Sequence, residues 1–232
     1  MIRALLFDCD GVLADNEPLH FRALNEALRT EGIEVSSHDY ATLIGMPDDA
    51  AFVEVLRRAG RTADGARLEA LCRAKSESYL RSLEAGVVPV PGVADFVRRA
   101  APTLLVAVAS GGRRAEVDRV IAALGLAGTF RAIVAAEDCP QGKPSPAPFL
   151  LAVERLNASA PVPSPPVAAR DCLVFEDSEH GIAAARAAGM RSIGITTSFT
   201  GEVLRDADLV APNFRALDLA RVTAFFDRRA RA

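Results

Sequence analysis

Two carboxylates flanking Cys9, Asp8 and Asp10, follow directly on a short apolar run, Ile2, Ala4, Leu5, Leu6 and Phe7, and precede Gly11. Such a pair can hold a hard cation, or one member can attack an electrophile while the other manages protons. A run this short, with a turn signal behind it, suits a strand buried on both faces. Open α/β sheets bind ligands beyond the carboxyl ends of their strands, which is where both aspartates fall. If the chain stays extended as far as Asp10, the two-residue period points both carboxylates to one side and Cys9 into the fold. Gly11 permits a sharp turn just after them. The alternative is a pair of solvated acids at a strand end, and the remaining chain has to decide between the two.

Behind the first strand the pattern becomes helical. Leu19, Ala23, Leu24, Ala27 and Leu28 recur at helical spacing, opened by Asp15-Asn16-Glu17-Pro18 and stopped by Gly32. Asp48-Asp49 opens a second such stretch with Phe52, Val53, Val55 and Leu56, and a third runs over residues 64–83 with Leu68, Leu71, Tyr79 and Leu80. A small helical domain over residues 15–85 is expected. From Gly86 strands and helices alternate. Strands are expected at 104–109, 132–136, 172–175, 192–195 and 208–210. Helices are expected from Pro91-Gly92 to about residue 101 and over 113–124, 146–156, 179–188 and 217–226. Residues 158–169, rich in Pro and Ser, predict a surface loop. This alternation predicts an α/β fold, a doubly wound, Rossmann-like parallel sheet built from residues 1–14 and 86–232. Strands then end in Asp8, in Ser110 and in Glu176-Asp177, so the site lies along one edge of the sheet.

Composition narrows the partners. The 232 residues are 50% apolar and 25% charged, ample for a sizeable core. A formal net charge of −3 and a pI of about 5.7 leave no nucleic-acid footprint. No apolar stretch nears the ~20 residues of a membrane span, and residues 1–7 are too short for a signal peptide. Cys9, Cys72, Cys139 and Cys172 show no paired or metal-type spacing, as expected of free thiols in a reducing cytoplasm. Trp is absent and tyrosine occurs only at Tyr40 and Tyr79, which argues against an aromatic stacking platform. The weak charge asymmetry and the lack of an apolar patch signal favour a monomer; with the thiols, charge and hydropathy above, the expectation is a cytoplasmic protein without membrane or nucleic-acid partners.

Four blocks stand in order: Asp8-Cys9-Asp10-Gly11-Val12, Ser110 behind an apolar strand, Lys143 in Gly142-Lys143-Pro144-Ser145-Pro146, and Glu176-Asp177-Ser178. With the helical insert between the first and second, they resemble the haloacid dehalogenase superfamily of phosphotransferases over nearly the whole chain. The insert resembles the helical cap of its β-phosphoglucomutase and small-metabolite phosphatase branch. The resemblance implies that Asp8 attacks phosphorus and forms an aspartyl-phosphate, while Asp10 protonates the leaving oxygen and then activates water. It implies Mg²⁺ held by Asp8, Asp10 through its backbone carbonyl, and Asp177, with Glu176 beside it. Ser110 and the backbone N–H groups of the Gly11 and Gly111 turns would bind phosphate oxygens, and Lys143 would offset negative charge. In the cap, His20, Lys75 and the loop 44–49 that contains Gly45 are the substrate-binding candidates.

One departure bears on the reaction. The mutase carries an arginine after its Gly-containing cap loop to hold the distal phosphate of a bisphosphate, and here Asp48-Asp49 follow that loop. Asn16 stands where the mutase has a threonine. Arg113 and Arg114 could replace the charge or could lie on the solvent face of their helix. The expected activity is a Mg²⁺-dependent phosphatase for a small phosphorylated metabolite, a sugar phosphate, with a sugar-phosphate mutase as the alternative. A phospho-accepting signalling module is a third reading, against which Asp10 and the insert argue. The family's dehalogenases lack the second acid that Asp10 supplies.

Overall fold

The computed structural model describes residues 1–62 and 64–229. In chain order, β1 (Ala4–Phe7) is followed by α1 (Glu17–Leu28), α2 (Ser37–Ala41), α3 (Asp48–Arg58) and α4 (Gly65–Glu84). The alternating part then runs α5 (Val93–Ala100), β2 (Leu105–Ala109), α6 (Arg114–Ala123), β3 (Ala132–Val134), α7 (Ala147–Ala158), β4 (Cys172–Glu176), α8 (Glu179–Ala187), β5 (Arg191–Ile195), β6 (Leu209–Ala211) and α9 (Leu219–Arg229). The strands form one six-stranded parallel sheet in the order β3-β2-β1-β4-β5-β6. Strand order reverses beside β1, the switch point at which such sheets bind ligands. The expected fold class, a doubly wound parallel sheet with helices, is the one observed.

Every residue of β1 is buried, because both faces of the sheet are covered. On one face Ala4 and Leu6 pack with Ala107, Ala109 and Val174 against Phe149 and Leu156 of α7 and Ala184 of α8. The alternate residues face the other way. There Phe7 stacks on Phe175 at 4.8 Å, and Phe96 of α5 meets Phe175 edge-on at 5.4 Å. Rings in these geometries add about 0.5–1.5 kcal/mol per pair beyond their buried area.

The chain divides into two compact units, Met1–Asp15 together with the chain from Val88 onward, and Asn16–Val87. The two crossings between them run side by side: Asp15 N donates to Val88 O at 2.8 Å, and Ala14 bridges Pro89. The helical unit has its own core, Leu24, Leu28, Phe52, Val55, Leu56, Leu71 and Cys72. Among the described residues, no helix is long and apolar enough to cross a membrane.

Local departures from the expected elements have local causes. The short α2 carries too few residues to show a period, and its signal is the cap alone: Ser36 Oγ accepts from Asp39 N at 3.1 Å. β3 ends at Val134 rather than at 136, because the Asp138 carboxylate turns back to accept from Ala135 N at 2.9 Å and converts 136–138 into a 3₁₀ turn. That carboxylate is also gripped by Arg155 at 2.7 Å and by Arg114 at 2.6 Å, and both guanidinium groups reach the Ile133 carbonyl.

The Arg155 hydrogen bond holds the Asp138 carboxyl well below the usual carboxylate range, with partial burial opposing and Ala135 N and Arg114 adding. A depressed folded-state value stabilises the fold above the unfolded value of about 3.9 and loses that contribution as pH falls through the folded value. Asp138→Asn is therefore expected to cost about 2 kcal/mol at pH 7, with the deficit shrinking below about pH 4. Urea denaturation of both proteins at pH 7 and pH 3.5 measures this. A deficit that grows on acidification would contradict it.

Candidate active site

Parallel register brings the chemistry to one end of the sheet. Phe7 lies opposite Phe175 and Val108, so Asp8 emerges between the ends of β4 and β2, and its N–H donates to Phe175 O at 3.0 Å. β4 delivers Glu176 and then Asp177. Ser110 follows β2, its N–H donating to Val134 O of β3 at 2.9 Å. Lys143 arrives on the loop between β3 and α7. Its ammonium donates to Asp8 Oδ1 and to Glu176 Oε1, each at 2.5 Å, and lies 5.0 Å from the centroid of the Phe149 ring.

Asp8, Glu176 and Asp177 each offer a carboxylate oxygen within 4.8 Å of the others, and all three are buried. Gly11 sits against this cluster with φ of 74°, in the left-handed region that suits glycine. A Cβ at that position would fall 1.7 Å from Asp177 Oδ2 and 2.9 Å from Ser198 Oγ. Ser198 Oγ is buried without a hydrogen-bond partner among the described residues. A close, buried set of carboxylate oxygens with an unsatisfied hydroxyl beside it fits a hard, oxygen-seeking cation such as Mg²⁺.

Asp10 and Ser110 meet at the following turn. A Cβ on Gly112 would lie 3.2 Å from Ser110 Oγ and 3.7 Å from Asp10 Oδ2. Gly112 N donates to Ser110 Oγ at 2.9 Å, so the turn orients the hydroxyl. Gly111 is exposed, with no atom within 4 Å of where its Cβ would stand, which leaves its backbone open to a ligand.

Charge in this cluster is out of balance, since carboxylates outnumber the ammonium. Burial pushes the Asp8 carboxyl up to about 7; Lys143 opposes this by charge and hydrogen bond, while Glu176 and Asp10 add to it. Burial would lower the Lys143 ammonium, but Asp8 and Glu176 together hold it above its ordinary value. The lysine stays charged because two carboxylates share it. Burial also pushes the Cys9 thiol well up, with Asp10 and Asp8 adding, so Cys9 is an inert core residue and not a nucleophile.

His20, Lys75 and Gly45 belong to the helical unit. His20 of α1 stacks on Tyr79 of α4 with centroids 3.9 Å apart, and the Lys75 ammonium pairs with Asp48 at the start of α3. Both His20 and Lys75 are buried. Gly45 turns the loop before α3 with φ of 85°. Arg113 is exposed, and Arg114 is engaged by Asp138.

Ser178, Gly181 and Ser198 were not legible as site residues in the sequence. Ser178 reads only as a helix start, and it does accept from Gly181 N at 3.1 Å, but its hydroxyl also donates to Glu176 Oε2 at 2.9 Å. Gly181 carried a usable signal: glycine inside a helix costs about 1 kcal/mol relative to alanine, so its presence calls for a packing reason.

Residues 2–189 match the haloacid dehalogenase-like hydrolase family. The chain is 36% identical over 230 residues to protein CbbY of Rhodobacter capsulatus, covering 94% of each. It is 34% identical over 191 residues to the fructose-1-phosphate phosphatase YqaB of Escherichia coli (strain K12), covering 82% of this chain and 95% of that one. The fold superimposes on the crystal structure of β-phosphoglucomutase from Clostridium difficile with a TM-score of 0.88 at 22% identity, over the full length of both chains. The chain belongs to the haloacid dehalogenase-like hydrolases, as a phosphatase of that family.

Proposed function

We propose that this phosphatase hydrolyses a small sugar monophosphate through an aspartyl-phosphate on Asp8, with Mg²⁺ as cofactor. The observation that carries the reading is the convergence of buried Asp8 and Asp177 with half-buried Lys143 at the end of β1. Lys143 holds one Asp8 oxygen and leaves the other for attack on phosphorus. Asp10 protonates the departing sugar oxygen and later takes the proton of the attacking water. Ser110 donates its hydroxyl to a phosphate oxygen, beside the open backbone of Gly111. Asp8, the Asp10 carbonyl and Asp177 would hold Mg²⁺, which would supply the positive charge that lets a phosphate dianion approach a carboxylate. The helical unit is assigned the selection of the sugar portion, with His20, Lys75 and Gly45 as its candidates. Cys9, Cys139 and Cys172, which are free thiols, agree with a cytoplasmic enzyme.

A sugar substrate is supported by the names of the relatives, a fructose-1-phosphate phosphatase among them. Hydrolysis rather than mutation is supported by the Lys75–Asp48 pair. A mutase must grip a second phosphate, and a lysine already neutralised by an aspartate offers no net charge for it. At 4 Å a unit charge is worth about 4 kcal/mol at an effective dielectric of 20, enough for far more than a tenfold difference in bisphosphate binding. With a sugar 1-phosphate, phosphorus NMR is expected to show inorganic phosphate accumulating faster than any isomeric sugar phosphate, with or without added bisphosphate. Faster formation of the 6-phosphate, stimulated by bisphosphate, would replace this reading with the mutase.

A further inference from the structure

We infer that Ser198, on the loop after β5, is a positioning residue of the cation site: its hydroxyl holds a water carried by the bound cation. The inference rests on the reading of the carboxylates around Asp8 and Asp177 as a Mg²⁺ site.

The register that delivers the carboxylates also delivers this hydroxyl. β5 pairs with β4 in parallel, Gly194 opposite Glu176, so the chain beyond Ile195 leaves the sheet beside Asp177. Both ends of the loop are fixed. Thr196 N donates to Ala211 O of β6 at 3.1 Å, and Leu204 N donates to Thr200 O at 3.2 Å. Leu204 is fully buried and packs on Gly194, where a Cβ would stand 3.0 Å from the Leu204 Cβ.

Ser198 Oγ and Asp177 Oδ2 converge on Gly11. A single Cβ there would meet both, at 2.9 and 1.7 Å. Serines elsewhere in the chain use their hydroxyls on the backbone: Ser36 Oγ accepts from Asp39 N, Ser110 Oγ from Gly112 N and Ser178 Oγ from Gly181 N. Ser198 Oγ is buried and makes no such bond among the described residues. The fold therefore gains nothing from this hydroxyl, and burying it unpaired is destabilising. Such a group, set beside the carboxylates, points to a partner that comes with the cation.

The chemistry of Mg²⁺ defines that partner. The ion dehydrates reluctantly and keeps several waters when few protein groups bind it. Those waters are strong donors, and in a buried site their protons need acceptors. A hydroxyl has two acceptor lone pairs and one proton of its own, so it can accept from such a water and still donate to a carboxylate. It does this without adding charge to a cluster in which carboxylates already outnumber the ammonium. A carboxylate at this position would hold the water more firmly but would also repel the phosphate. Partners of this kind, one shell out from the metal, are worth about 10–100-fold in metal affinity.

The test is Ser198→Ala, titrated calorimetrically with Mg²⁺ alone and without substrate. Its Mg²⁺ affinity is expected to fall about 10-fold or more. Without divalent cation the variant is expected to melt at or above the wild-type temperature, because the deleted hydroxyl had no partner to lose. Ser198→Thr, which restores a hydroxyl, is expected to recover part of the lost affinity. Unchanged Mg²⁺ affinity in Ser198→Ala, a lower melting temperature without cation, or a folded Ser198→Thr that binds no better than Ser198→Ala overturns the inference. A wild-type protein that binds no Mg²⁺ would overturn the cation site itself, and the inference with it. A wild type that binds Mg²⁺ no more tightly than Ser198→Ala would leave the cation site standing and remove only Ser198.

Discussion

Asp8→Asn is expected to remove turnover, by at least about 10⁴-fold, while the protein remains folded. The change is nearly isosteric and takes one negative charge out of a cluster that has too many. Lys143 keeps Glu176 as a partner, so no buried ammonium is stranded. The variant is expected to melt at or above the wild-type temperature in the absence of divalent cations, as happens when a strained functional group is relieved. The sign of its pH dependence follows from the Asp8 carboxyl, raised to about 7. A raised folded-state value means that wild-type stability is full below the unfolded value and is lost as pH rises through the folded one. The advantage of Asp8→Asn should therefore be larger at pH 8 than at pH 5. Phosphate release, acid-quench trapping of a phosphoenzyme and thermal melts at both pH values measure these outcomes. Substantial activity in the folded variant would contradict covalent catalysis at Asp8.

Removing divalent cation is expected to have an effect of similar size. Without positive charge beyond Lys143, the carboxylates around Asp8 repel a phosphate dianion, and at an effective dielectric of 20 each unit of like charge at 4 Å costs about 4 kcal/mol. Excess chelator should abolish phosphate release, and Mg²⁺ should restore it. Asp177→Asn should raise the Mg²⁺ concentration needed by an order of magnitude or more, because a hard cation with few protein ligands depends on each. Gly11→Ala should act in the same direction. Its Cβ would overlap Asp177 Oδ2, and its φ of 74° strains any other residue. Phosphate release titrated against Mg²⁺ for the wild type and both variants tests this. Full activity in excess chelator would contradict the cation site.

Much of this protein was legible along the chain because its signals are local. The apolar run ending in Asp8, the helical periods from Leu19 to Leu80 and the later alternation each depend on residues a few positions apart. They determine a doubly wound sheet interrupted by a helical unit. The order of the four chemical blocks added the family, since it relies on residue types and spacing alone. Where a local signal was too short it failed: α2 shows only a cap, and β3 stops early because the Asp138 side chain competes for Ala135 N.

The partnerships were decided by tertiary structure. Lys143 meets Asp8 across 135 residues of sequence, and only the parallel register of β1 with β2 and β4 puts them within reach. The Arg114–Asp138–Arg155 cluster and the Lys75–Asp48 pair are likewise non-local. Glu176 and Asp177 read as equivalent neighbours in the sequence, two acids at a strand end. The fold separates them: Glu176 accepts from Lys143 and packs where Gly181 lacks a side chain, while Asp177 Oδ2 lies against Gly11.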